Sequence, residues 1–84
     1  NSDDAAVHLR LGALLRELEQ HSDASQALLV SLQLQPSAEA YLQLARVRWT
    51  QGEQARALSN YRSALELEPS DGQIAAETGW ALIE

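Results

Sequence analysis

The chain has 84 residues and a formal charge of −6, which together limit the classes of protein it can be. Apolar residues make up 45% and charged residues 21%, a composition too hydrophobic for a disordered chain. No apolar run approaches the roughly 20 residues of a membrane-spanning helix, so we expect a soluble fold without membrane insertion. Six arginines against twelve acidic residues disfavour nucleic acid as a partner, because phosphate backbones bind clustered positive charge. The absence of cysteine excludes disulfides and thiol catalysis and leaves the cellular compartment open.

The first segment has the apolar spacing of an amphipathic helix. Between Val7 and Leu18 large aliphatic residues recur at intervals of three and four, which predicts a helix over about 4–19. Asp3 and Asp4 precede it, where an N-cap and the positive end of the helix dipole favour carboxylates.

The next two helices are bounded by polar caps, proline and glycine. Ser22 and Asp23 offer an N-cap for a second helix, which ends before Pro36 because proline disfavours helical geometry in the residue that precedes it. Ser37 then caps a third helix, and Gly52 is its expected C-cap.

A fourth helix ends at Glu68-Pro69-Ser70, and Ser70 followed by Gln73 has the pattern of a capping box that opens a fifth helix. The connections are short enough to force neighbouring helices to pack antiparallel. We therefore predict an all-α fold of about five helices, with no strand.

One phrase of the sequence occurs twice. LQLQPS at residues 32–37 returns as LELEPS 33 residues later, at 65–70. A fixed period of roughly 20–50 residues indicates stacked copies of one small unit. The period divides the chain, as a single domain, into a first unit at about 5–37, a second at about 38–70, and a partial third unit or capping helix at 71–84. Because the chain contains no methionine, we expect it to be a fragment of a longer protein.

Small residues and a closing proline fall at matching places in the units: Gly12, Ala24 and Pro36 in the first, and Ala45, Ala57 and Pro69 in the second. This pattern resembles the tetratricopeptide repeat, a helix-turn-helix unit of about 34 residues. The resemblance implies antiparallel pairs of a helix A and a helix B, stacked as a short right-handed α-solenoid. It is weakest in the third unit, where Ala75 replaces the usual aromatic residue of helix A.

The resemblance also implies a partner-binding surface on the concave side, which helix A lines. Transferring the family's inward-facing positions by register gives the residues that we call the helix A surface: Leu9, Ala13, Arg16, Leu42, Arg46, Trp49, Ala76, Trp80 and Ile83. Tryptophan and arginine carry much of the binding energy of interfaces, so Trp49 is the first candidate for partner contact. The alternative is that its ring only covers the neighbouring helix and stabilises the stack.

The arginines near this surface leave two interpretations open. Arg46 and Arg48, with Arg16 about one unit away, could hold the carboxylate of an acidic or C-terminal peptide through bidentate contacts. Most surface arginines are instead solvated or pair with a nearby acidic residue, for which Glu17 and Glu39 are the candidates here. The lysine and asparagine clamp that one subclass of the family uses for a C-terminal carboxylate is excluded, because the chain has no lysine. An apolar or mixed peptide, or a helix, fits these residues better.

The sequence lacks the residue sets that catalysis and cofactor binding need. His8 and His21 fall on different predicted helices and are poor candidates to share a metal, and the glycines form no phosphate-binding cluster. We predict a non-catalytic module without cofactor or metal that binds a protein or peptide. The alternative is a structural spacer or homo-oligomerisation scaffold, with self-association through the apolar edge of the third unit: Ile74, Trp80, Leu82 and Ile83.

Overall fold

The computed structural model describes residues 4–83, which form five α-helices and no strand. The helices are α1 (Ala5–Glu17), α2 (His21–Leu34), α3 (Ala38–Thr50), α4 (Gln54–Leu67) and α5 (Gly72–Ile83). Each packs against the next along the chain, most extensively α1 with α2 and α3 with α4. The predicted all-α fold is confirmed. No helix within the described range is long and apolar enough to span a bilayer.

Three helices begin at side-chain caps, two of them as predicted. Asp4 Oδ1 accepts a hydrogen bond from the amide of Ala6 at 2.9 Å, and Ser37 Oγ accepts one from Ala40 at 3.2 Å. Asp3 lies outside the described residues. The predicted cap Ser70 is wrong: Asp71 directly precedes α5, and its Oδ1 accepts hydrogen bonds from the amides of the second and third helical residues at 2.9 and 3.2 Å.

The turn between α1 and α2 has the same geometry as the turn between α3 and α4. Gly52 has a φ of 82° and follows the C-cap Gln51, so it takes the C′ position one residue after the predicted cap, and Glu19 takes the equivalent place with a φ of 62°. In each turn this residue's amide bonds to the carbonyl three residues back and the following amide to the carbonyl five back, a Schellman motif. Because the first turn leads straight into α2 at His21, Ser22 and Asp23 lie inside the helix and the predicted N-cap is wrong.

Two clusters of buried residues form the core. One joins α2 to α3 through Ala24, Leu28, Leu44 and Val47. The other joins α3, α4 and α5 and contains Leu42, Ala45, Ala57, Tyr61, Ala64, Ile74 and Ala81. The small residues predicted at helix crossings are buried, and a Cβ added to Gly12 would lie 2.5 Å from Cγ of Leu28. The paired helices can therefore approach this closely only because these residues are small.

The apolar stripe of α1 is mostly exposed, although most of the equivalent positions in α3 are buried. The exposed fractions lie between 42% and 57% for Val7, Leu11, Leu14 and Leu18. The residues 33 positions later in α3 include Ala40, Leu44 and Val47, which are buried. In the predicted apolar edge of the third unit, Ile74 is buried against the core and only Trp80, Leu82 and Ile83 are exposed, which corrects that prediction.

Candidate partner-binding surface

The two tryptophans of the chain lie together, one on α3 and one on α5. Trp49 is partly buried against the core, whereas Trp80 is 58% exposed. Their ring centroids are 5.9 Å apart and their planes are inclined by 54°. Aromatic pairs favour tilted contacts of this kind. The pair thus forms an aromatic patch that spans α3 and α5.

The apolar members of the helix A surface differ in how much surface they offer. Ala76 and Ile83 are exposed on α5, while Ala13 and Leu9 on α1 are partly buried. Leu42 belongs to the core cluster of α3, α4 and α5, so its side chain has almost no surface for a partner. Apolar contact area is therefore concentrated toward the α5 end.

Arg46 forms an ion pair with a residue that the sequence analysis did not select. Its Nε donates to Oε1 of Glu77 at 3.0 Å, and its Nη2 donates to Oε2 at 2.5 Å. The hydroxyl of Tyr61 and the amide of Gln73 also reach this carboxylate, at 3.5 and 3.4 Å. The bidentate pair fixes α3 to α5 beside the tryptophans.

Arg16 makes a similar link between α1 and α3. Its Nε donates to Oε1 of Gln43 at 2.9 Å, and Nε2 of Gln43 donates to Oε2 of Glu39 at 2.9 Å. Arg48 lies apart from both and forms an ion pair with Glu53 at 3.0 Å. All three arginines thus have partners within the chain. In the described residues neither predicted partner, Glu17 or Glu39, bonds directly to any of them, and Glu39 is linked to Arg16 only through Gln43.

The ion pair between α3 and α5 shifts the protonation of its members. The hydrogen bond from Arg46, with its positive charge, lowers the pKa of Glu77 although burial opposes this. The same hydrogen bond raises the pKa of Arg46. Burial, and then the nearby Glu77 charge, raises the pKa of Tyr61. The carboxylate of Glu77 is therefore held ionised within this network.

Comparison with known proteins identifies the family. A family model of the tetratricopeptide repeat matches residues 38–81, just over half of the chain. The chain belongs to the tetratricopeptide repeat family. Tetratricopeptide repeats are generally protein–protein interaction modules, and the family is typically non-catalytic. No curated protein sequence is significantly similar to this chain.

A solved structure gives the same fold. The crystal structure of a thermophilic tetratricopeptide repeat protein from Thermus thermophilus superposes with a TM-score of 0.93 at 28% sequence identity. The match covers 100% of this chain and 43% of that one, so this chain spans less than half the length of its structural relative. The predicted tetratricopeptide solenoid is confirmed.

Glu77 and Gln43 are the residues of this tetratricopeptide surface that sequence reasoning missed. A signal for Glu77 was present, because it lies three residues before Trp80, on the same face of α5. Gln43 stands 34 positions before Glu77, and each receives an arginine from the preceding helix A. A search for polar residues adjoining the transferred positions would have found both.

The ion pair predicts a pH dependence of stability that Glu77→Gln removes. Since the folded-state pKa of Glu77 is lowered from its ordinary value of 4.5, its contribution is present above that value and is lost as the pH falls through the lowered pKa. We expect Glu77→Gln to cost about 1 kcal/mol at pH 7 and much less near pH 3. Urea unfolding at both pH values measures this difference. The control is Glu66→Gln, at an exposed site without an ion pair in residues 4–83. Its effect on stability should not decrease in this way between pH 7 and pH 3.

Proposed function

We propose that the chain is a non-catalytic module that binds a peptide or a partner helix across the helix A surface. The paired rings of Trp49 and Trp80 carry this proposal. Trp80 leaves more than half of its surface exposed beside Trp49, and the hot spots of binding interfaces are enriched in tryptophan.

The chemistry of the partner follows from the arginines. Arg46 already donates two hydrogen bonds to Glu77, and Arg16 donates to Gln43. A partner carboxylate would have to compete with Glu77 for the Nε and Nη2 donors of Arg46, whereas an apolar side chain could cover Trp80 and Ile83 without displacing anything. We therefore favour a mixed or apolar segment, such as an amphipathic helix laid in a groove.

The unit boundaries belong to the same proposal. Residues 5–37 and 38–70 each contain one helix A, one helix B and a closing proline, and 71–84 contributes a further helix A as a partial unit or capping helix. The tryptophan pair would then lie between the second unit and the helix that follows it.

The experiment uses the tryptophans as reporters, because Trp49 and Trp80 are the only two in the chain. A peptide selected from a display library on the intact chain is titrated while tryptophan emission is recorded. We expect Trp80→Ala and Trp49→Ala each to weaken binding at least about tenfold, measured by labelled-peptide anisotropy. The control Leu34→Ala removes an exposed aliphatic side chain of α2 outside this surface.

The exposed site of Trp80 allows its truncation without loss of core contacts, so that variant separates binding from folding. Selected peptides that bind both tryptophan variants as tightly as they bind the parent chain would refute the proposed surface.

A second candidate, self-association, is favoured by the α1 stripe. Leu11 and Leu14 are exposed although the equivalent residues of α3 are buried, and exposed apolar surface of this kind promotes pairing. This candidate predicts a sedimentation-equilibrium mass that rises above 9.2 kDa with concentration and returns to that value in Leu14→Glu. A mass of one chain at every concentration would count against it.

A further inference from the structure

A second concave site lies on the side of the helices B. A cleft of about 500 Å³ runs between α2 and α4 with α3 beneath it. Its apolar floor consists of Leu29, Leu32, Tyr41 and Leu44. We call it the helix B cleft. It shares no residue with the helix A surface, so the proposed function does not account for it.

Two polar residues of the cleft replace apolar residues of the first unit. Arg48 stands 33 positions after Leu15, and Asn60 stands 33 positions after the buried Ala27. Oδ1 of Asn60 is buried and accepts no hydrogen bond from residues 4–83. A buried acceptor without a partner destabilises a fold, so folding gives no reason for this asparagine. If the Asn60 side chain rotates toward the cleft, a ligand that donates an N–H group would satisfy this oxygen.

The cleft also reverses the charge of the first unit. Arg56 stands where the first unit has Asp23, and its side chain is highly exposed. Glu53 lies between the two arginines, 3.0 Å from Nη1 of Arg48 and 3.8 Å from Nη1 of Arg56. Each guanidinium carries five N–H donors. The Arg56 side chain is 70% exposed, so Glu53 leaves most of its donors available, whereas the Arg48 side chain is 14% exposed and offers fewer. The rim therefore has a net positive charge in a chain whose overall charge is −6.

We propose that the helix B cleft binds an acidic peptide segment in which apolar and carboxylate side chains alternate. An apolar side chain lies on the floor formed by Leu29 and Leu32. The Asn60 side chain rotates toward the cleft, and a backbone N–H of the peptide donates to its Oδ1. A carboxylate accepts hydrogen bonds from Arg56 and from the remaining donors of Arg48.

The probe is the blocked pentapeptide acetyl-Glu-Leu-Glu-Leu-Glu-amide, and its matched control replaces each glutamate with glutamine. Each is titrated into the full 84-residue chain labelled with ¹⁵N, and chemical shifts are followed by NMR. We expect saturable shifts at the amides of Leu29 and Leu32 and at the side-chain NH₂ of Asn60. The glutamine peptide should bind at least about tenfold more weakly, and added salt should weaken the acidic peptide.

Variants that restore the first unit's residues test the assignment. Asn60→Ala and Arg56→Asp should each weaken the acidic peptide at least about fivefold, whereas Arg62→Asp, the same charge change at another exposed site of α4, should not. The thermal midpoint of Asn60→Ala should equal or exceed that of the parent chain, because the substitution removes a buried acceptor without a partner. A merely structural asparagine would lower the midpoint instead.

Three results would overturn the proposal: no shifts at millimolar peptide, equal binding of the glutamine peptide, or shifts confined to Trp49 and Trp80. The last result would leave the helix A surface as the binding site, so the two proposals can fail independently.

Discussion

Replacing Leu28 with alanine is expected to lower the free energy of unfolding by about 2–5 kcal/mol. The side chain is 0% exposed and lies where α2 packs against α1 and α3. It packs with Leu44 and Val47 of α3 and closes over Gly12 of α1. Its removal leaves a cavity that three helices border, and a core this thin has few other large side chains to fill it.

Leu29 supplies the matched control, because it is the next residue of α2 and is 41% exposed. Leu29→Ala should cost less than about 1 kcal/mol. Urea unfolding followed by circular dichroism compares the two variants. Equal losses would contradict the placement of Leu28 in the interface of α2 with α1 and α3. The loss is also expected to lower the stability of both units together, because neighbouring repeats stabilise each other through their shared interface.

The sequence was sufficient to predict the helices because its periodicity is strong. The spacing of apolar residues and the 33-residue repeat located all five elements, and Ser37 and Gly52 marked their ends correctly. The caps of α2 and α5 were missed for local reasons. The chain turns at Glu19, which has a positive φ, so α2 begins at His21, before the polar residues Ser22 and Asp23. At α5 the capping side chain is Asp71, one position after the predicted Ser70.

The candidate site could be predicted only to the level of a helix face. The positions transferred from the family placed Trp49 and Trp80 on the same surface, and in the structure their rings are in contact. The transfer could not predict that Leu42 is core, since the rotation of α3 about its axis depends on how α4 and α5 pack against it. Nor could it pair Arg46 with Glu77, a contact between residues 31 positions apart that exists only after stacking.

The same dependence on helix packing and rotation explains why Arg46 and Arg48 lie on different surfaces. In sequence, Arg46 and Arg48 are two positions apart, which suggested that both flank the helix A surface and could hold the same carboxylate. In the helix they point to different sides, because residues two apart do not share a helical face. Arg46 holds α5 beside the tryptophans, whereas Arg48 lines the helix B cleft. One short segment of α3 therefore contributes to two surfaces of different chemistry.

Alanine at Gly12 is expected to lower the free energy of unfolding by about 1–2 kcal/mol, while alanine at Gly79 should raise it by about 0.5–1 kcal/mol. Both glycines lie within helices, so both substitutions gain the same helix propensity. An added Cβ at Gly12 would lie 2.5 Å from Cγ and 2.6 Å from Cδ2 of the buried Leu28, whereas at Gly79 it meets nothing within 4 Å. The difference between the variants therefore isolates the steric cost of the crossing between α1 and α2.

A double-mutant cycle decides whether Leu28 is the source of that cost. If Gly12→Ala is destabilising because its methyl group collides with Leu28, the cavity left by Leu28→Ala should accommodate the methyl group. The double variant should then be more stable than the sum of the single losses predicts, by about 0.5–3 kcal/mol. Gly79→Ala combined with Leu28→Ala should be additive, because Gly79 lies on α5 and its added Cβ contacts nothing. Additivity in both cycles would mean that α1 and α2 move apart as rigid helices, so that the cost of the added methyl is distributed over the whole crossing.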